Sequence, residues 1–254
     1  MTDELFRDDA TLLACDATIT AITGAITGAI AGGGTEAAIE LDRTVFYPQG
    51  GGQAGDAGML RRADGAELLI TDTRKGAAPG QILHLPAAGA DLAGWLPGQR
   101  VTATLDAARR QAHRRFHTAT HLLCALVPHP VNGCSITAGY ARLDFHMTEP
   151  LDKEALTAGI ARLVAAALPV HQRWITEAEL DANPGLVRSM SVQPPRSGQG
   201  QGRVRLIDVD GVDLQPCGGT HVANTAEVGA VVVTKIEKKS AKTRRVVLGF
   251  AESA

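Results

Sequence analysis

Aromatic side chains are scarce. Trp, Tyr and Phe make up only 4% of the 254 residues, so Ala, Val, Leu and Ile must fill the core that a 44% hydrophobic fraction allows. Cysteine is scarce as well: Cys15, Cys124, Cys134 and Cys217 provide no dense disulfide framework, which points to a reducing compartment. The start, Met1-Thr2-Asp3-Glu4, lacks the basic region of a secretory signal. There is no long hydrophobic run. Ala17 to Thr35 is uncharged, but its glycines and threonines break the hydrophobicity a membrane span needs. Excess charge of either sign is also missing, with a net charge of −2 and a pI near 6.4. No global field draws the chain to nucleic acid or to an anionic membrane, so any nucleic-acid binding must come from local patches. These absences describe a cytoplasmic globular protein without a membrane partner, built as one large domain or two small ones.

Short strand-like runs dominate the first hundred residues. Thr18-Ile19-Thr20-Ala21-Ile22-Thr23 alternates, the Thr-Gly-Ala-Ile repeat that follows reads as a strand–turn feature, and Ala37–Asp42, Glu67–Thr71 and Arg100–Thr104 add further runs. Strands at this spacing predict a small β-barrel. Pro48 stops one run before Gly50-Gly51-Gly52, a loop flanked by Tyr47 and Gln53 that reads as ordered and close to a ligand or another backbone. The pattern changes at Asp106, an N-cap for a helix over Ala107–Val127 that Pro128 and Pro130 end. Strands over 131–147 follow. Next comes a helix capped by Asp152 and closed by Pro169, with Leu156, Ile160, Leu163 and Ala167 on one face. A strand at Val170–Ile175, a short helix at 177–182, a Pro- and Gly-rich loop at 193–203 and a strand at Val204–Val209 lead to two final strands joined by a basic loop, Lys235–Arg245. The prediction is an α+β chain: a Gly-rich small β-barrel at 1–104, then at 105–254 an α/β domain with an antiparallel sheet and helices.

Two short motifs carry chemistry. His117-Thr118-Ala119-Thr120-His121 falls on the long helix, where residues four apart share a face. Cys217-Gly218-Gly219-Thr220-His221 offers a thiolate and an imidazole around a pair of glycines that let the backbone turn tightly. Three imidazole nitrogens and one sulfur are ligands that zinc favours. An absence is informative here too. A zinc peptidase motif would carry Glu after its first His, and Thr118 stands there, so the peptidase base is missing. Four protein ligands close a structural shell, whereas a catalytic centre keeps an open position, and spacing does not choose between them. His113 reads as a surface histidine, Cys124 as core, and Cys15 and Cys134 as buried thiols. The densest basic run comprises Lys235, Lys238, Lys239, Lys242, Arg244 and Arg245.

Taken together, four stretches resemble the AlaX family of free-standing alanyl-tRNA editing proteins, of the medium-length type, and the editing domain of alanyl-tRNA synthetase. They are Thr44-Val-Phe-Tyr-Pro-Gln-Gly-Gly-Gly-Gln53, the HxxxH at 117–121, the run from Asp208 through Cys217 to His221, and the basic tail at 235–245. The two ligand pairs, in this order and 96 residues apart (217 − 121), are specific together. The resemblance implies a zinc-dependent hydrolase acting in trans on tRNA(Ala) mischarged with serine or glycine, with 105–254 as the editing domain. It implies one Zn2+ per chain on His117, His121, Cys217 and His221. Thr44 and Gln53 would contact substrate, the Thr44 hydroxyl selecting serine, while Gly218 and Gly219 would offer N–H groups to a developing oxyanion. Lys239, Lys242, Arg244 and Arg245 would meet tRNA phosphates. ATP enters only by analogy with the synthetase and is not expected. The competing reading is a zinc-stapled RNA-binding module without hydrolytic activity.

Overall fold

The computed structural model describes residues 1–23, 37–190 and 202–251. The Thr-Gly-Ala-Ile repeat and the 193–203 loop lie largely outside these residues. The described chain forms two compact units, Met1–Gly50 with Ala54–Arg110, and Gly51–Gln53 with Gln111–Ala254. Among the described residues no helix is long and apolar enough to cross a membrane.

The first unit is built on a closed antiparallel barrel. Its strands are β1 (Ala14–Thr23), β2 (Ala38–Leu41), β3 (Gly58–Arg62), β4 (Glu67–Lys75), β5 (Ile82–Pro86) and β6 (Arg100–Leu105), in the order β1-β2-β5-β4-β3-β6. Period-two patterning puts Val101, Ala103 and Leu105 of β6 inside while Arg100, Thr102 and Thr104 face out. Ile19, Leu41, Phe46, Leu60, Ile70 and Trp95 complete a core made mostly of aliphatic side chains. Fully burying one such side chain stabilises the fold by roughly 1.5–3 kcal/mol. Strand β3 lies so close to β6 that a Cβ at Gly58 would sit 2.1 Å from the Thr104 carbonyl oxygen. The chain following Thr44 is fastened by a buried ion pair. Asp56 Oδ2 accepts from Arg110 Nε at 3.0 Å and from Tyr47 N at 2.7 Å, and Arg110 also donates to the carbonyls of Ala10 and Val45.

The second unit starts from α1 (Ala107–Leu126), continuous with the first unit through Arg110 and capped where Arg109 N donates to Asp106 Oδ1. After it come β7 (Val131–Ile136), β8 (Ala141–His146), α2 (Lys153–Ala165), β9 (Val170–Thr176), α3 (Glu177–Ala182), β10 (Arg203–Val209), β11 (Asp213–Pro216), β12 (Val231–Ser240) and β13 (Thr243–Phe250). One antiparallel sheet has the order β12-β13-β8-β7, and a second has the order β9-β10-β11. Phe116, Leu123, Leu143, Phe145, Ile160, Val222, Val246 and Leu248 form the core of this unit. The α+β architecture with a small barrel is as expected from the sequence.

Three local expectations are corrected. Helix α2 ends at Ala165, and Ala167 turns out with φ +50° and is exposed, so the buried face is Leu156, Gly159 and Ile160. The basic loop at 235–245 is mostly strand: Glu237 pairs with Arg245, Lys238 with Arg244 and Ser240 with Thr243, leaving a tight turn at Ala241-Lys242. A run of mostly basic residues along a half-exposed hairpin disguised the strands as a loop. His113 is fully buried in α1 rather than at the surface.

Candidate metal centre

The second unit brings both ligand pairs together. His117, His121, Cys217 and His221 each point one donor atom at a common centre, and these atoms lie within 4.8 Å of one another. Helix periodicity places the first two rings on one face of α1. The other two ligands follow β11, where the chain leaves the sheet through Gly218 and Gly219. Cys217 Sγ is 3.3 Å from both His117 Nε2 and His221 Nε2. Across a tetrahedral zinc with ordinary bond lengths, sulfur and nitrogen would stand about 3.5 Å apart.

Each imidazole is held from behind by its other nitrogen. His117 Nδ1 is 2.8 Å from Gln53 Oε1, His121 Nδ1 is 2.8 Å from Asp213 Oδ2, and His221 Nδ1 is 3.2 Å from Thr118 Oγ1. Gln53 Oε1 and Asp213 Oδ2 can only accept, so Nδ1 of His117 and of His121 carries the proton and Nε2 offers its lone pair to the centre. The Thr118 hydroxyl also receives Val222 N at 3.3 Å, and the His221 carbonyl accepts from Arg114 Nε at 2.8 Å. Gln215 Nε2 donates to Asp213 Oδ2 at 2.8 Å, and Arg188 stands 3.4 Å from Asp213 Oδ1. The donor set and its supports fit a divalent zinc ion.

The electrostatics agree. Burial opposes ionisation of Cys217, but the neighbouring His117 and His221 outweigh it and hold the thiol well below its usual range, which favours the thiolate that a metal needs. Burial also pulls His121 down, yet Asp213 and Cys217 push it up to about 9. His221 is held well below its ordinary value by burial and by the adjacent His117.

Most of the residues singled out in the sequence converge here. Gln53 is fully buried, with its amide spent on His117, Thr220 N (3.1 Å) and Thr220 Oγ1. Gly219 presses on His117: a Cβ there would lie 2.0 Å from the ring Cε1, so no side chain fits. Gly218 and Gly219 N–H groups have no hydrogen-bond acceptor among the described residues. Thr44 belongs to the first unit, where its buried hydroxyl is 2.8 Å from His84 Nε2 and accepts from Phe46 N. Of the basic residues, Lys239 and Lys242 are exposed. Arg244 is buried and donates to the carbonyls of Thr148, Ser240 and Thr243, and Arg245 forms a paired contact with Asp144 at 2.7 and 2.8 Å.

Asp213, Thr118 and Arg114 were not singled out as supports. For Asp213 a signal existed: Asp213 and Gln215 alternate along β11, and period two puts them on the same face, just before Cys217. Arg114 and Thr118 reach His221 across 107 and 103 residues of sequence, which no local pattern reveals.

Comparison with known proteins identifies the family. Residues 204–247 match the domain described as threonyl and alanyl tRNA synthetase second additional domain, and residues 3–109 match tRNA synthetases class II (A). The chain is 32% identical over 252 residues to the alanyl-tRNA editing protein AlaX-M of Methanosarcina barkeri, covering 96% of this chain and 97% of that protein. The AlaX-M of Methanosarcina mazei is 29% identical and aligns with 100% of this chain and 98% of its own length. The alanine–tRNA ligase of Methanothrix thermoacetophila is 32% identical over 86% of this chain but only 24% of the ligase. Matched nearly end to end by free-standing editing proteins and only to a segment of the ligase, the chain belongs to the AlaX-M family of alanyl-tRNA editing proteins.

Proposed function

We propose that the protein is an aminoacyl-tRNA deacylase that hydrolyses, in trans, the ester joining serine to tRNA(Ala), with glycine as a second substrate, and that it does so with one Zn2+ in the cytoplasm. The observation that carries this reading is the group of four convergent donors, with both helix imidazoles turned by an acceptor behind Nδ1 so that Nε2 faces the thiol of Cys217. His117, His121, Cys217 and His221 would hold the metal. When bound, zinc can polarise the ester carbonyl, orient a substrate group or lower the pKa of a water.

The chain's own residues would do the rest. Gln53 holds His117 and the Thr220 amide in place. Gly218 and Gly219 have N–H groups available for a developing oxyanion. Thr44 selects serine. With its proton directed to His84, its hydroxyl has a lone pair for a serine hydroxyl, and a partner missing that group loses the interaction. Lys239 and Lys242 meet tRNA phosphates, while Arg244 and Arg245 shape the hairpin beneath them and add positive potential.

One assay tests the reading. Purified protein is mixed with tRNA(Ala) carrying serine, glycine or alanine. Serine should be released, alanine should be spared, and chelation should stop turnover until zinc is restored. Thr44→Val should slow release of serine more than release of glycine. Tight RNA binding with no deacylation in any arm would favour instead a module in which zinc only staples the fold.

A further inference from the structure

One charged side chain behind the metal ligands has no role in the reading above. Arg205 of β10 is only 2% exposed. Its Nη1 donates to the carbonyls of Cys217 at 2.9 Å and Gly219 at 2.8 Å, and its Nε donates to Gln172 Oε1 at 2.9 Å. Its own carbonyl accepts from Cys217 N at 3.1 Å. Residue 205 therefore grips the thiol-bearing residue at both its amide and its carbonyl. A guanidinium keeps its charge when buried, and burial is costly unless its donors find acceptors. An apolar residue would fill the same space at less cost. What only the guanidinium supplies is a fork that holds two carbonyls of one tight turn.

Two consequences follow from planar peptide geometry. A peptide carbonyl and the next N–H point in opposite directions. Fixing the Cys217 carbonyl on Arg205 therefore turns the Gly218 N–H away from Arg205, and this N–H has no acceptor among the described residues. Fixing the Gly219 carbonyl sets the residue whose Cα lies against the His117 ring. One side chain thus governs the placement of the sulfur, of an unused amide donor, and of an imidazole from the distant helix.

We infer that Arg205 is a positioning residue for the metal centre, aligned by Gln172, that sets the Cys217–Gly219 turn so that sulfur and imidazoles meet one ion and the Gly218 N–H is left to the substrate. This rests on the zinc reading given above. The test uses the full chain as Arg205→Met, which keeps the stem and removes the donors, and as Gln172→Leu, at an exposed position, which leaves the guanidinium but removes its aligning acceptor. Zinc affinity is measured by competition with a chromogenic chelator, the coordination by the thiolate-to-metal band of the Co2+-loaded protein, and folding by cooperative melting. Arg205→Met should bind zinc about 10- to 100-fold more weakly with an altered Co2+ band, as expected when a group supporting a ligand is lost. Its kcat for the serine ester should fall with little change in KM. Gln172→Leu should lose roughly fivefold in affinity. A folded Arg205→Met with wild-type zinc affinity and an unchanged Co2+ band overturns the inference. If Arg205→Met does not fold, an unchanged Gln172→Leu overturns it instead. Wild-type protein that binds no zinc would defeat the metal reading itself, a result distinct from either of these.

Discussion

His84 in the barrel unit and His121 in the second unit are both hidden from water, and they are tuned in opposite directions. His84 faces a carbonyl, that of Ile39 at 2.9 Å, and the Thr44 hydroxyl, and burial pulls it down to about 4. For His121 burial acts in the same sense, but the Asp213 carboxylate and the Cys217 sulfur overcome it and raise it to about 9. Desolvation penalises a charge in both places; a neutral carbonyl is too weak to reverse it at His84, whereas a carboxylate and a sulfur reverse it at His121. Burial keeps His84 neutral, the Ile39 carbonyl offsetting it only in part, so the ring serves as a fixed post between β2, β5 and the chain at Thr44. Anionic partners make His121 basic, and a basic nitrogen is a good donor to a cation once its proton has left.

Four changes would break or sharpen this contrast. The largest is Cys217→Ala, which removes the sulfur on which the second unit's electrostatics turn. Zinc binding in a chelator competition and release of serine from mischarged tRNA(Ala) should both disappear. The next is pH. His84 is neutral in the fold and titrates near 6.5 when unfolded, so its contribution is complete above about 6.5 and is lost as pH falls towards 4. Urea unfolding of the barrel transition across that window should show a loss of roughly 3 kcal/mol, and His84→Gln should flatten the slope. A slope unchanged in the variant would refute the account of His84. Third, Asp213→Asn keeps the shape but removes the charge behind His121. Zinc affinity should drop about 10- to 100-fold, whereas His84→Gln in the barrel should leave it unchanged. The smallest effect concerns the surface. Lys239→Ala with Lys242→Ala should weaken tRNA binding and make its dependence on log salt shallower by about 1–2. Asp144→Asn, which frees Arg245, should change the hairpin's stability more than that slope.

The cluster of four donor side chains was legible because helix spacing places His117 and His121 on one face and because Cys217 and His221 bracket two glycines. The barrel was legible from alternation in strands such as β6. What holds the ligands was harder to read. Gln53 was singled out as a substrate contact, and its amide stands 2.8 Å from His117 Nδ1 and bonds Thr220 as well. Whether an amide faces a substrate or a ligand is decided by a fold that joins residues 64 positions apart. Arg205 looked like an ordinary strand residue, since β-pairing tells which face it occupies but not that two carbonyls of a later turn will meet it. His113 was misplaced because a polar residue on a helix is ordinarily solvated, and only the packing around α1 shows that this one is enclosed.

Residues 51–53 are numbered among the barrel strands yet belong to the second compact unit, where Gly52 accepts from Ile136 N and Gln53 supports His117. Recombination between relatives at the start of the long helix would therefore not exchange two self-sufficient pieces. It would replace the neighbour of a ligand along with the barrel, so the Gly-rich triplet and the histidine helix have to be inherited as a pair.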